Sequence, residues 1–126
     1  THFDHRVQPA REKSAILVNK KVSELKTKLP VLLVGDFNAT AKMNKVYDIL
    51  VNDGGFKDTL LSATKAINSE WNTMNGFRPT QKGTRRIDWV LSKGPVKISE
   101  AEIVLFDNNK QYPSDHQPVS ATVSLD

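Results

Sequence analysis

Four short polar segments carry the side chains of this sequence that are best suited to chemistry on a phosphate group or a metal ion. They read THFDH at 1–5, GDFNA at 35–39, RIDW at 86–89 and SDHQP at 114–118. Each lies at the end of a stretch that reads as a β-strand. Ligands of layered α/β proteins collect where strand ends and their loops meet, so the four segments are expected to converge on one site.

The segment GDFNA follows a short apolar run, Val31 to Val34. If the strand continues, Asp36 and Asn38 point to the same face and Phe37 points into the core. A carboxylate and a carboxamide aimed together suit a phosphate or a water molecule. The alternative is a local Asx turn that caps the next segment.

The other two internal segments each allow two interpretations. Asp88 lies between Ile87 and Trp89, in a strand-like stretch where carboxylates are disfavoured. Either its face of the strand is open to solvent, or it is buried and needs a partner such as an imidazolium. Asp115 and His116 stand side by side between two prolines, as in a site loop or a solvated turn.

Further charged residues flank these segments. Before the RIDW strand lie three basic residues that suit contact with phosphate, although surface solubility explains them equally well: Lys82, Arg85 and Arg86. In THFDH, His2 and His5 flank Asp4 as metal ligands would, but three residues near the start of a sequence are weak support for a metal cluster. None of the four segments is decisive alone.

The composition is that of a soluble globular protein. The 126 residues suffice for one small domain, and 38% apolar with 25% charged residues argues against disorder. The net charge of +4 mildly favours anionic partners such as nucleic acid, phosphorylated metabolites or phospholipid headgroups. The absence of cysteine excludes disulfides and thiolate metal sites. No apolar run is long enough to cross a bilayer.

Alternating helices and strands must position these segments. An amphipathic helix is predicted from Arg11 to about Lys28, ended by Pro30, with an apolar stripe at three- and four-residue steps: Ala15, Val18, Val22, Leu25 and Leu29. The uniformly apolar run Val31 to Val34 reads as a central strand covered on both faces. A second helix is predicted from Met43 to Asn52, with Val46, Ile49 and Leu50 buried and Gly54 and Gly55 at its end.

The rest of the chain reads as strands separated by loops. Residues 58–83 are polar and weakly periodic, as in short strands or a long loop. Strands are predicted at RRIDWVLS (85–92), VKISEAEIVLF (96–106) and PVSATVSL (118–125). In the last of these, strict alternation places four apolar residues on one face: Val119, Ala121, Val123 and Leu125. This element order indicates an α/β or α+β layered fold.

Together and in this order, the four polar segments resemble the C-terminal half of the endonuclease/exonuclease/phosphatase superfamily, the group that includes DNase I. The matching motifs run from Thr1 to Val119. The resemblance implies a divalent-metal hydrolase of phosphodiester or phosphomonoester bonds. It also implies half of a four-layered α/β/β/α sandwich, with a mixed, mainly antiparallel sheet and helices on one face.

The resemblance implies roles around the metal ion and the phosphate. Asp36 would prepare the attacking water or shuttle its proton. Asp115 would be a metal ligand, assisted by Asp36 and Asn38. Asn38 would also hold a nonbridging phosphate oxygen, and Arg86 would bind substrate. A hard cation, Mg²⁺ or Mn²⁺, suits this set of carboxylate and carboxamide oxygens.

It implies further roles for the imidazoles and their supports. His116 would contact the phosphate or act as general base, and Asp88 would orient it and stabilise its protonated form. His2 would stabilise the pentacovalent transition state or assist the leaving group. Asp4 would support His2 from behind.

One departure from the family pattern bears on activity. Members carry an N-terminal half that supplies an asparagine and a metal-binding glutamate, and no segment of 1–126 matches it. We therefore expect 1–126 to form one domain, the C-terminal part of a larger enzyme, with an exposed apolar sheet face and little activity alone. The missing half of the same enzyme would cover that face, and a homodimer through the exposed sheet is the alternative.

The substrate class stays open among nucleic acid, phospholipid headgroup and sugar phosphate. The opening THFDHR followed by AREKSA is similar to small, often secreted bacterial members of the superfamily, which suggests a secreted or periplasmic location. Two other functions remain. The first is a non-catalytic binding or scaffold module that retains the fold. A purely structural interaction domain is favoured only by the unassigned stretch 58–83.

Overall fold

The computed structural model describes residues 1–106 and 108–125. Its elements are α1 (Gln8–Glu24), β1 (Val31–Asp36), α2 (Lys45–Asp48) continued by a π-helical turn (Ile49–Asp53), β2 (Lys57–Asp58), α3 (Thr59–Ser62), β3 (Lys65–Ile67), β4 (Asp88–Lys93), β5 (Val96–Ile103) and β6 (Val119–Leu125). Within the described residues no helix has the length and apolar character needed to cross a membrane.

The described strands form two three-stranded sheets. In the first, the order is β1-β4-β2 and all pairs are antiparallel. In the second, the order is β3-β5-β6, with β3 parallel to β5 and β6 antiparallel to it. The predicted α/β class with mainly antiparallel pairing is confirmed, and the strands are divided between two sheets.

The main hydrophobic core lies between the first sheet and the helices α1 and α2. At its centre Phe37 stacks on Trp89 with ring centroids 4.3 Å apart, and Tyr47 meets the Trp89 ring edge-on at 5.2 Å. Ala15 of α1 and Leu50 of the π-helical turn are fully buried in the same cluster. The helices therefore cover one face of this sheet.

The first helix is shifted from its predicted bounds. It begins at Gln8, three residues before the predicted start, because Pro9 fits the first turn, where its missing N–H is not needed. It ends at Glu24, because Lys26 takes a left-handed conformation with φ of 47°, well before Pro30. The predicted apolar stripe is therefore wrong at Leu25 and Leu29, which are exposed.

The second helix is confirmed in slightly shorter form. The side chain of Asn44 accepts a hydrogen bond from the Val46 amide at 3.0 Å and so caps the first turn. Val46 and Leu50 are fully buried, as predicted. Gly55, with φ of +69°, turns the chain away after the π-helical turn.

Strand β1 is not covered on both faces, so that prediction is wrong. Val31 and Leu33 pack against the main core, whereas Leu32 and Val34 on the opposite face remain 48% and 49% exposed. At one edge β1 pairs with β4, and at the other it pairs with the first residues of the chain, where the Phe3 amide donates to the Asp36 carbonyl at 2.9 Å. An apolar sheet face is thus exposed, as expected from the sequence.

The last three strands are close to their predicted positions. Asp88 opens β4, and β5 ends at Ile103, three residues before the predicted end. In β6 the predicted alternation holds, except that Leu125 is exposed. Residues 58–83 contain α3 and β3 followed by turns.

Gly35 allows the first residues of the chain to lie against β1. Its φ is +149°, and an added Cβ would lie 1.9 Å from the carbonyl oxygen of Thr1. We expect Gly35→Ala to force residues 1–3 away from β1 and to lower the free energy of unfolding by more than the about 1–3 kcal/mol of backbone strain alone. Urea denaturation measures the loss.

Gly76→Ala is the matched control. Gly76 also has a positive φ, +62°, but open space surrounds the position that a Cβ would take. It therefore carries the conformational strain without the clash. A Gly35→Ala loss no larger than that of Gly76→Ala would contradict the packing described for Thr1.

Candidate active site

Two carboxylates meet where β1 ends and β4 begins. Asp36 and Asp88 are directly paired in the antiparallel ladder, so their side chains lie on the same face of the sheet. Both side chains are largely buried. Two neighbouring carboxylates repel each other unless a proton or a cation lies near them.

His116 brings an imidazole to this pair. Its Nδ1 lies 2.9 Å from Oδ2 and 3.1 Å from Oδ1 of Asp88. Its Nε2 lies 3.9 Å from Oδ2 of Asp36, which is too far for a direct hydrogen bond. The ring is therefore held through Nδ1, and its Nε2 faces the carboxylate of Asp36 across a gap.

His2 approaches the same carboxylate from the other side. Its Nε2 is 3.4 Å from Oδ2 of Asp36, and its side chain is 72% exposed. His2 lies there because residues 1–3 pair in parallel with the end of β1. The Asp36 carboxylate is thus flanked by the imidazoles of His2 and His116.

Asn38 joins the site through a turn rather than through a continued strand. The strand ends at Asp36, and Asn38 takes a left-handed conformation with φ of 48°. Its amide donates to Oδ1 of Asp36 at 2.8 Å, which is the Asx turn considered as the alternative. Its Nδ2 donates to the Phe3 carbonyl at 2.9 Å, while Phe37 is buried as predicted.

Two other predicted residues lie near the site in different settings. The carbonyl of Asp115 accepts from the amides of Asn75 at 2.8 Å and Gly76 at 3.0 Å, which fixes the loop that carries His116. The carboxylate of Asp4 accepts from the amides of Arg6 at 2.7 Å and Val7 at 2.6 Å. Asp4 therefore orders the turn that leads into α1, and no contact with His2 is recorded within the described residues.

Arg86, predicted to bind substrate, has a buried guanidinium. It forms an ion pair with the carboxylate of Asp58, and the Tyr47 hydroxyl donates to the same carboxylate at 2.8 Å. Burial and the charge of Asp58 raise the pKa of Tyr47, so its hydroxyl remains a donor. A substrate phosphate would have to compete with Asp58 for this guanidinium. The arrangement gives Arg86 a structural role beneath the site.

The charges of the Asp88 and His116 pair are strongly interdependent. Burial raises the pKa of Asp88 and outweighs the hydrogen bonds from Thr73 and His116 that lower it. Burial of the ring lowers the pKa of His116, but the hydrogen bond and charge of Asp88, with the charges of Asp36 and Asp115, raise it overall. Both directions fit one proton held between the two residues.

The raised His116 pKa predicts a pH-dependent stability. The folded, metal-free protein holds this proton more tightly than the unfolded chain, so the stabilisation is complete below a pH of about 6.5 and is lost as the pH rises through the higher folded pKa. Urea denaturation between about pH 6 and pH 9 should show this loss in the wild type and not in His116→Gln. His5→Gln, at an exposed position, should keep the wild-type slope.

The donor set fits a hard divalent cation. Within the part of the chain that the structure describes, one group of metal-capable donors comes together, with ligand atoms within 4.8 Å of one another: Asp36, Asp88 and His116. Of the predicted metal ligands Asp36 belongs to this group and Asp115 does not. Carboxylate oxygens with one imidazole suit Mg²⁺ or Mn²⁺.

Two buried polar residues behind the site were missed by the sequence interpretation. Asp58 partners Arg86, and Thr73 accepts hydrogen bonds from the amides of Ile87 and Asp88 at 3.0 and 3.2 Å. Both lie in the stretch 58–83, whose polar residues follow no recognisable spacing. The only available signal was the unexplained polarity of that stretch.

Solved structures with this fold place it among DNase I-like proteins. A mannosyl-6-phosphatase from Bacteroides thetaiotaomicron matches with a TM-score of 0.87 and 28% identity, over 98% of this chain and 49% of the other. An endonuclease/exonuclease/phosphatase family protein from the same species matches with a TM-score of 0.87 and 29% identity, over 99% and 47%. Beta toxin from Staphylococcus aureus shares the fold at 16% identity, with a TM-score of 0.67, over 97% and 50%.

The chain belongs to the Endonuclease/Exonuclease/phosphatase family, whose profile matches residues 1–116. No curated protein sequence matches it significantly. The chain spans about half the length of the solved structures named above. The family assignment confirms the resemblance drawn from the four polar segments.

Proposed function

We propose that this chain supplies the second half of a divalent-metal-dependent phosphoesterase. One observation carries the proposal: the Asp36 carboxylate lies between the Nε2 atoms of His2 and His116, at 3.4 and 3.9 Å. Phosphate ester hydrolysis needs a base for water, positive charge at the phosphoryl oxygens and a proton for the leaving oxygen. Asp36, His116 and His2 can supply the base, the positive charge and the proton, and the two imidazoles lie within a few ångströms of the Asp36 carboxylate.

His116 is suited to meet the phosphoryl group. Its Nδ1 is engaged by Asp88 at 2.9 Å, which leaves Nε2 as the nitrogen that faces substrate. Because Asp88 raises the pKa of His116, the imidazolium form is favoured and can donate to a phosphoryl oxygen. Asp88 orients the imidazole ring of His116 and neutralises its positive charge.

Asp36 acts on the attacking water, and His2 acts on the leaving oxygen. Asp36 accepts the proton of the attacking water, since its Oδ2 lies beside both imidazoles and its Oδ1 is fixed by the Asn38 amide at 2.8 Å. The exposed ring of His2 faces the leaving oxygen and donates a proton to it. The carboxamide of Asn38 holds a nonbridging phosphate oxygen.

Mg²⁺ or Mn²⁺ is the proposed cofactor. Asp36 and Asp115 would hold the ion with the carboxamide oxygen of Asn38, and the bound ion would offset phosphoryl charge and acidify a water. The family is generally dependent on divalent metals, and of the proposed ligands Asp36 belongs to the described group of metal-capable donors. A glutamate from the other half of the domain is expected to complete the set.

Sugar phosphates are the first substrate class to test. A solved structure named as a mannosyl-6-phosphatase shares 28% identity with this chain and covers 98% of it. The exposed His2 side of the site leaves room for a bulky leaving group. Nucleic acid and phospholipid headgroups are the other two classes in the panel.

The partner of this chain is the N-terminal half of the same domain. Leu32 and Val34 present an exposed apolar stripe on β1, and burial of such a stripe favours association. The chain accounts for about half of the two matched Bacteroides thetaiotaomicron structures, and a segment of similar length in the other half could cover the stripe. A homodimer through the same face is the competing arrangement, and light scattering on the isolated chain distinguishes the two.

The test compares the isolated chain with the complete domain extended upstream. Hydrolysis of two chromogenic esters, bis-p-nitrophenyl phosphate and p-nitrophenyl phosphate, and of mannose 6-phosphate, single-stranded DNA and phosphatidylcholine is followed with Mg²⁺, with Mn²⁺ and with EDTA. We expect metal-dependent turnover only in the complete domain, with Asp36→Asn slower by about a hundredfold or more. Asp53→Asn, an exposed acidic residue away from the site, is the control.

Two results would overturn this proposal. Turnover by the isolated chain that Asp36→Asn abolishes would mean that the other half is dispensable. A folded complete domain that hydrolyses none of the three substrate classes with either metal would favour a binding module in place of an enzyme.

A further inference from the structure

Thr73 contacts Asp88 and the loop that carries His116, although it belongs to neither of these segments. Its side chain is fully buried, 15 residues before Asp88 in the chain. The stretch around it, residues 72–76, lies between the start of β4 and the loop 114–117. The question is what a buried hydroxyl does at that junction.

The hydroxyl oxygen of Thr73 accepts two hydrogen bonds at the start of β4. Its oxygen accepts from the Ile87 amide at 3.0 Å and from the Asp88 amide at 3.2 Å. Thr73 also lowers the pKa of the Asp88 carboxyl, against the effect of burial. A hydroxyl oxygen has two lone pairs, so the two amides use its whole capacity to accept.

The backbone of Thr73 holds the loop that carries His116. Its carbonyl accepts from the Gln117 amide at 2.7 Å, and its amide donates to the Arg85 carbonyl at 3.1 Å. The next residue, Met74, forms a β-bridge with His116. One residue therefore ties together two segments that are 28 positions apart in the chain.

We propose that Thr73 is a positioning residue: its hydroxyl holds the Ile87 and Asp88 amides at the start of β4, its backbone holds the loop of His116, and together these set the geometry of the pair. The 2.9 Å contact between Asp88 and the His116 ring depends on both segments being held in register. Loss of the hydroxyl leaves both amides without their acceptor, so the start of β4 can shift while the backbone contacts of Thr73 persist. The ring then loses its fixed orientation toward the phosphoryl group.

The test uses Thr73→Val in the complete domain, because valine keeps the shape and removes only the hydroxyl. We expect kcat to fall about ten- to a hundredfold, as for other residues that orient catalytic groups, with KM changed less than about threefold. Thr73→Ser, which keeps the hydroxyl, should restore kcat. In NMR spectra, Thr73→Val should speed hydrogen exchange at the Ile87 and Asp88 amides and remove the hydrogen-bonded Nδ1–H signal of His116.

Thr59→Val is the control for a purely structural effect. Thr59 is also buried, and its hydroxyl donates to the Val90 carbonyl of the same strand at 2.8 Å, away from the pair. It should lose stability like Thr73→Val while its kcat stays at the wild-type value. If both valine variants lower kcat equally at matched folded fractions, the positioning role is refuted.

The kinetic readout rests on the proposed phosphoesterase activity, and the NMR readout does not. An inactive wild type counts against the proposed function, and the amide exchange and the His116 signal then decide the inference: unchanged spectra in Thr73→Val refute it. If Thr73→Val does not fold, Thr73→Cys replaces it, because a thiol is a weak hydrogen-bonding group. A Thr73→Cys variant with the activity and spectra of Thr73→Ser would then refute the positioning role.

Discussion

Replacing Asp88 with asparagine in the complete domain is expected to lower kcat by about three to four orders of magnitude, because an uncharged carboxamide holds an imidazole in the wrong proton form. The Asp88 carboxylate faces Nδ1 of His116 with both oxygens, at 2.9 and 3.1 Å. It is also the main reason why the His116 pKa is raised despite burial. Asparagine keeps the shape and removes the charge. Steady-state kinetics on p-nitrophenyl phosphate esters measures the loss.

The stability of the Asp88→Asn variant separates chemistry from folding. The variant removes the cost of burying the Asp88 charge and its repulsion with Asp36, but also the charge that stabilises protonated His116, so its unfolding free energy at neutral pH should stay close to that of the wild type. Asp48→Asn, at an exposed site on α2, should leave kcat unchanged. A kcat within about threefold of the wild type in Asp88→Asn would show that His116 needs no charged partner.

Replacing Arg86 with methionine is expected to lower the free energy of unfolding by about 3–5 kcal/mol, because it leaves a buried carboxylate without its cation. The Asp58 side chain is 2% exposed, and Arg86 is the cation among its partners, which also include the Tyr47 hydroxyl and the Leu60 amide. The cost is that of an uncompensated buried charge rather than of the lost contact alone. The midpoint and slope of urea denaturation measure it.

Two further variants isolate this cause. Arg85→Met alters the neighbouring, exposed arginine and should change stability by less than about 0.5 kcal/mol. Adding Asp58→Asn to Arg86→Met should recover part of the loss, because a neutral carboxamide can still accept from the Leu60 amide or the Tyr47 hydroxyl. If Arg86→Met leaves stability intact and raises only KM, the substrate-binding role predicted from the sequence is correct instead.

Much of the fold was predictable because it follows from local patterns. The second helix was found from Val46, Ile49 and Leu50 with glycines at its end, and β6 from strict alternation. The end of α1 was not, because Lys26 takes a left-handed conformation that neither periodicity nor Pro30 signals. The run Val31 to Val34 by itself did not show that Leu32 and Val34 are exposed, since a uniformly apolar run says nothing about which face has a neighbour; that expectation came only from the half of the domain that the resemblance implies is missing.

The residues at the candidate site also form two groups: those that sequence motifs predict and those that only the fold brings together. Asp36, Asp88 and His116 could be identified from the sequence because three short motifs occur in a fixed order. The burial of Arg86 and its ion pair could not be read from its motif, because Asp58 lies 28 residues away and only folding brings the two together. Thr73 gave no signal, since a threonine in a polar stretch matches no spacing rule. The settings of Arg86 and Thr73 both depend on contacts between segments that are far apart in the chain.

The exposed stripe on β1 connects the association of this chain with a partner to the solvent environment of Asp36. Leu32, Val34 and Asp36 alternate along one strand and so lie on one face, with the apolar pair leading directly to the carboxylate. An element that packs on the first two must end beside the third, where it excludes water and strengthens every electrostatic contact. If the proposed N-terminal half packs there, we expect substitutions of Leu32 or Val34 that loosen this packing to lower activity in the same way as a change at Asp36.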